Sequence, residues 1–221
     1  ILCKAIDKLK ESPSLIFSSS VMIFISIFDL IPNSFKYLFN FYELIPSIII
    51  ILIFIFFGFL FIYFIKHIIT IEEGLYKVGI ISMIALIIHN IPEGIITFLT
   101  TTKDFRLGLS LSLSIALHNI PEGISIFVPL YFSSRNKKKA IFYTFIAGFS
   151  EVLGAFIAWL FLSKLVNDYF FSFSFAVTAG IMLYIACYEL IPSALKLCNR
   201  KLLILFFILG IIIMTLSKLL I

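Results

Sequence analysis

Charge is what this chain has least of. Only 13% of its 221 residues are Asp, Glu, Lys or Arg, about half the share of an ordinary soluble domain. Cysteine is scarce as well. Cys3, Cys187 and Cys198 are odd in number and widely separated, so they imply no disulfide framework, and no thiolate cluster is present to select Cu(I). Alternating apolar and polar runs are missing, which excludes a β-barrel. The first fourteen residues are polar and mixed in charge, which is no signal peptide. What is abundant is apolar surface: 62% hydrophobic residues and a mean hydropathy of +1.16. No water-soluble core of this size hides that much Ile, Leu and Phe. The composition therefore predicts an integral, multi-pass membrane protein in contact with the lipid bilayer. It excludes a soluble enzyme, a nucleic-acid binder, a disordered chain and collagen.

A membrane-spanning helix needs roughly 17–25 apolar residues. Seven stretches qualify: 15–31, 44–65, 78–101, 107–132, 140–162, 169–192 and 202–221. The expected fold is an all-α polytopic transmembrane bundle in which 1–221 form one domain. If the N-terminal tail and every second connection share a side, that side holds twelve Lys and Arg and the other holds five. The positive-inside rule makes the richer side cytoplasmic. The basic run Arg135–Lys139 then reads as a topology signal, and His67, in the connection 66–77, as a solvated loop residue.

The chain repeats itself. Met22 to Pro32 matches Met182 to Pro192, and His89-Asn90-Ile91-Pro92-Glu93-Gly94 recurs unchanged as His118-Asn119-Ile120-Pro121-Glu122-Gly123. The first pair lies on spans one and six and the second on spans three and four. Both separations are odd, so the members of each pair cross the membrane in opposite directions. That is an inverted-topology repeat, the architecture of many secondary transporters. The same offset pairs span two with span seven and leaves span five without a mate. This predicts eight spans in the intact protein, the first lying before Ile1, with both termini on the less basic side.

The repeated hexapeptide carries the chemistry. On a helix, Glu93 shares a face with both His89 and Asn90, and Pro92 frees the carbonyl of Ile88. His118, Asn119, Glu122 and Pro121 supply the same set from the other direction. An ionised side chain at mid-membrane costs about 2.5–3.5 kcal/mol on insertion scales, so Glu93, Glu122 and Glu151 unpaired would cost roughly 8–10 kcal/mol. No Lys or Arg stands within a span near them. A bound cation, or else protons, is the simplest counter-charge. The bland alternative is that His and Asn only bond across helices, which leaves the carboxylates unexplained. Imidazole with carboxylate and amide oxygen suits Zn²⁺, Fe²⁺ and Mn²⁺ better than Mg²⁺ or Ca²⁺.

Glu151 is flanked at helical spacing by Ala147, Gly148, Gly154 and Ala155. Small residues let another helix approach, so Glu151 should face the interior and join the site; a protonated Glu bonded to backbone is the alternative. Asp29 and Glu189 each precede a proline by three residues near a span end. They read as entrance and exit ligands or as interface residues. Met22 and Met182 stand seven residues before these acids, on the same face, as metal ligands or as packing.

At these residues the sequence resembles the ZIP (Zrt-/Irt-like) family of divalent metal transporters, and most closely its bacterial-type, broad-metal branch. The two hexapeptides resemble the family's fourth and fifth helices, Ser150 to Gly154 the sixth, Ala179 to Pro192 the seventh and Met22 to Pro32 the second. The resemblance implies a binuclear centre. One site would use His89, Glu93, His118 and Glu122, with Met22. The adjacent site would use Asn90, Asn119 and Glu151, with Glu93 and Glu122 bridging. It further implies movement of Zn²⁺, Fe²⁺, Mn²⁺ or Cd²⁺ as substrate into the cytosol by alternating access, in a homodimer. Val152 stands where many members have Pro, and His67 is alone where many have a His-rich loop. The family's first helix has no counterpart here.

The expected function is thus a metal carrier and not an enzyme, with a membrane-embedded di-metal enzyme or a metal-selective channel as the alternatives. Hydrolysis or oxidation of a lipid without metal flux would favour the enzyme, and turnover near ion-diffusion rates the channel. The ligands must lose protons to bind metal, so acid on the loading side should slow uptake. A flat rate between about pH 5 and 7.5, around the free imidazole value, would contradict this.

Overall fold

The computed structural model describes residues 2–162, 167–196 and 200–220. Cys198 and Lys164 lie outside the described residues, as do the side chains of Cys3, Lys4, Lys8 and Lys10. Seven described helices are long and apolar enough to cross a membrane: Ser12–Leu38, Leu44–Ile68, Leu75–Lys103, Phe105–Ser134, Lys137–Leu160, Asp168–Leu195 and Arg200–Leu219. They are called spans one to seven in that order. Each expected stretch is present, and most run a turn longer than apolar residues alone suggest. In lipid every backbone polar group must be satisfied internally, so a helix continues until water or a cap relieves it. The caps are visible. Asp104 accepts from the Arg106 and Leu107 amides at the start of span four, Asn136 from Lys139 in span five, and Asn167 from Phe170 in span six. Because span two runs to Ile68, His67 is not a loop residue: it stands in that helix's last turn, exposed, with Nδ1 2.8 Å from the Tyr63 carbonyl oxygen.

The internal repeat is visible in the backbone. Spans one and six each contain a π-helical turn, Ser26–Leu30 and Ile185–Leu190. Each turn leads into an Ile-Pro start of the next helical segment, Ile31–Leu38 and Ile191–Leu195. Proline offers no N–H to the preceding turn, and a widened turn is one way a helix passes such a site. The π-turns hold Asp29 and Glu189.

Helix packing repeats as well. Span two crosses span six so closely that a Cβ on Gly58 would lie 2.1 Å from the Val177 carbonyl oxygen, and one on Gly180 2.0 Å from that of Ile55. Span seven crosses span one in the mirrored register: a Cβ on Gly210 would lie 2.0 Å from Ser20 Oγ and 3.1 Å from the Phe17 carbonyl oxygen. Phe17 and Ser20 occupy, in the first repeat, the places of Val177 and Gly180 in the second. Small residues at such crossings replace the hydrophobic drive that lipid cannot supply. Spans three and five lock in the same way, with Gly94 against the Glu151 carbonyl at 1.9 Å and Gly154 against that of Ile91 at 2.1 Å. The bundle therefore has two close-packed groups, spans one, two, six and seven, and spans three, four and five.

The crossings differ in what can yield. Gly58→Ala meets backbone and should destabilise by at least the roughly 1–3 kcal/mol of overpacking. Gly210→Ala meets first a serine hydroxyl that can rotate, so it should cost less. Thermal unfolding in detergent that ranks the two the other way would contradict the mirrored packing.

Candidate metal centre

Span three brings in His89, Asn90 and Glu93, and span four brings in His118, Asn119 and Glu122. The one-residue connection at Asp104 between Leu75–Lys103 and Phe105–Ser134 sets them antiparallel, so the identical hexapeptides meet head to head. His118 Nε2 lies 2.9 Å from Glu93 Oε1. His89 Nε2 lies 3.5 Å from Glu93 Oε2 and 3.3 Å from Glu122 Oε1. Each glutamate thus reaches the histidine of the other repeat, and Glu93 also reaches its own. Span five closes the third side, where Asn119 Nδ2 donates to Glu151 Oε2 at 2.9 Å. Glu151 therefore adjoins the cluster through Asn119.

The Asn90 amide donates to the Ala147 carbonyl of span five at 2.9 Å, because the Gly94–Gly154 crossing brings that backbone within reach. One local expectation needs correction. Gly148 has no atom within 4 Å of a built Cβ, so the small residues around Glu151 do not all meet a neighbouring helix.

The cluster is buried and rich in acceptors. His89, Asn90, His118 and Glu122 are each at most 5% exposed. Asn90 Oδ1, Glu93 Oε2, Asn119 Oδ1, both carboxylate oxygens of Glu122 and both ring nitrogens of His89 are buried without a hydrogen bond of good geometry. Buried acceptors are normally satisfied, and a missing partner costs about 1–3 kcal/mol. Among the described residues, no ion pair joins Lys or Arg to Glu93, Glu122 or Glu151. Nor is any group of three His, Cys, Asp or Glu already arranged to hold a metal ion. The donors pair with one another across the repeat rather than around a common point.

A cavity of about 340 Å³ leads to the cluster from the less basic end of the bundle. Lys36 and Leu107 stand near its mouth, Asp29 and Thr178 line its side, and His89, Glu93 and His118 lie at its inner end. A second cavity, of about 270 Å³, opens at the basic end and is lined by Glu189, Lys66 and Ser193. The repeat-related acids Asp29 and Glu189 therefore line cavities at opposite ends. Met22 lies fully buried in the main core and lines neither cavity.

Comparison with known proteins agrees with this architecture. The family model described as the ZIP zinc transporter matches residues 72–218. The zinc transporter ZupT of Streptococcus mutans is 36% identical over 233 aligned residues, covering 98% of this chain and 88% of that protein. The chain belongs to the ZIP family. Its bacterial relatives include the ZupT zinc transporters of Oceanobacillus iheyensis, 50% identical over 57% of this chain and 47% of that one, and Campylobacter jejuni, 48% identical over 55% and 42%. The match thus spans about half the length of some curated relatives. ZIP proteins are transporters and not enzymes, and seven apolar helices make this member an integral, multi-pass membrane protein.

Sequence reasoning missed several polar residues that line the outer cavity of this ZIP chain, among them Lys36, Ser114 and Thr178. Ser114 was within reach, since it lies four residues before His118 and shares its helix face. Lys36 carried no such signal. It lay beyond the apolar stretch 15–31, in the last turn of Ile31–Leu38.

Proposed function

We propose that the chain is a carrier of divalent transition-metal ions, Zn²⁺ foremost and Fe²⁺, Mn²⁺ and Cd²⁺ as further substrates, into the cytosol. The observation that carries this reading is the head-to-head meeting of the two hexapeptides at the inner end of the outer cavity. Two imidazoles and two carboxylates converge there, among buried oxygens that make no hydrogen bond of good geometry. Imidazole and carboxylate together suit borderline dications, and the surplus of acceptors over donors favours a cation. His89, Glu93, His118 and Glu122 would hold one ion. Asn90, Asn119 and Glu151 would supply a second site, with Glu93 and Glu122 between the two.

The packing suggests how the ion moves. Every proposed ligand of the centre lies on spans three to five, which the Gly94–Gly154 crossing binds together. Asp29 and Glu189 lie on the other group, one toward each end. Movement of one group against the other would expose the same centre first to one cavity and then to the other, which is alternating access. The more basic side is the cytosolic side on this reading.

The test is competitive uptake of Zn²⁺, Fe²⁺, Mn²⁺ and Cd²⁺ into sealed vesicles carrying the full-length protein. Saturable, mutually competitive uptake is expected. Its absence for all four ions would refute the reading.

A further inference from the structure

Lys66 and Lys218 are repeat mates. Each stands eight residues after the crossing glycine of its span, Gly58 or Gly210. Asp29 and Glu189 are mates through the Met22 and Met182 segments. The structure pairs mate with mate: Lys66 with Glu189 at the basic end, Lys218 with Asp29 at the other. Yet the two contacts differ. Lys66 Nζ is 2.8 Å from Glu189 Oε1, with side chains 24% and 4% exposed. Lys218 Nζ is 3.8 Å from Asp29 Oδ1, with side chains 53% and 42% exposed. Lys218 instead donates to the carbonyl of Phe28, in the π-turn that holds Asp29.

The same asymmetry appears deeper in the bundle. Ser18 Oγ donates to the Pro121 carbonyl at 2.6 Å, tying span one to span four. Their mates, Thr178 and Pro92, both line the outer cavity. So the tight version of each repeated contact lies on the basic side, and the loose version lies where the large cavity opens.

We propose that Lys66 and Lys218 are tethered counter-cations that latch the two ends of the pathway in turn. Each neutralises its carboxylate while its side is closed and releases it while its side is open. Breaking an ion pair whose carboxylate is buried strands that charge, whereas an exposed pair contributes little. The Lys66–Glu189 pair therefore stabilises closure of the basic end, and the loosened Lys218–Asp29 pair leaves the other end free to open. The inference rests on the transport reading in one respect: an ion leaving past Glu189 must displace Lys66 from it.

The test reads conformation and needs no metal. In the full chain with Cys3, Cys187 and Cys198 replaced by Ser, a single Ser193→Cys substitution reports the basic cavity and Ser110→Cys the outer one. A membrane-impermeant thiol reagent is applied from each side. Lys66→Met should raise labelling at position 193 by about fivefold, roughly 1 kcal/mol, and Lys218→Met should lower it. The charge-reversed pair Lys66→Glu with Glu189→Lys should bring labelling back to within about twofold of the parent. If Lys66→Met does not reach the membrane, Lys66→Gln is held to the same threshold. Unchanged labelling at position 193, or no recovery in the reversed pair, overturns the latch. Labelling that shifts as expected in a protein with no metal flux would uphold the latch and refute the transport reading.

Discussion

Zinc uptake is expected to fall to background when Glu93 is replaced by Ala, with the protein still present in the membrane at its usual level. Glu93 is the carboxylate that both histidines approach, at 2.9 Å from His118 and 3.5 Å from His89. Losing an outer-shell partner of a metal ligand typically costs roughly 10–100-fold in affinity or activity. Losing a group that bridges the two proposed ions should cost at least about 100-fold on that scale. His89→Ala should behave in the same way. Neither residue serves a helix crossing, so neither change should unfold the bundle. Uptake by both variants at the parent rate, at equal membrane abundance, would remove the proposed centre.

The second large effect concerns a residue that binds nothing. Gly94→Ala would place a methyl group 1.9 Å from the Glu151 carbonyl oxygen. Backbone cannot swing aside as a side chain can, so spans three and five must separate. Overpacking costs typically 1–3 kcal/mol and occasionally more. A chain of this size loses about 2–4 °C of Tm per kcal/mol, so a fall of roughly 5–10 °C is expected. Uptake should also be lost, because the Asn90–Ala147 and Asn119–Glu151 contacts depend on that crossing. Gly148→Ala is the matched control: a Cβ there meets nothing within 4 Å, and alanine favours helix by about 0.5–1 kcal/mol. Thermal unfolding that failed to separate the two variants would contradict the close crossing.

The sequence carried much of this because hydrophobic length, charge placement and repeated motifs are local signals. Seven long apolar runs among few charges leave little choice of fold. Two identical hexapeptides on adjacent spans leave little choice of where the polar residues meet. Span ends were less legible: caps such as Asp104 and Asn167 extend helices into polar sequence. His67 fell on a helix and Lys36 came to line the cavity because spans one and two run past their apolar stretches, to Leu38 and Ile68. The partner of Asn90 was illegible because the Ala147 carbonyl carries no side-chain signature. It comes within reach only once Gly94 and Gly154 interlock. The kinship of Lys66 and Lys218 was hidden in two spans of nearly uniform Ile, Leu and Phe, where no motif marks the register. It becomes visible when the glycines of the two crossings are superposed through the repeat.

The most direct test of the central claim is anomalous diffraction at the zinc absorption edge from crystals of the zinc-loaded protein. The account predicts a peak within coordination distance, about 2.0–2.2 Å, of His89, Glu93, His118 and Glu122. It would be contradicted by zinc bound only at surface positions, with those four side chains keeping their mutual pairs and no peak between Glu93 and Glu122.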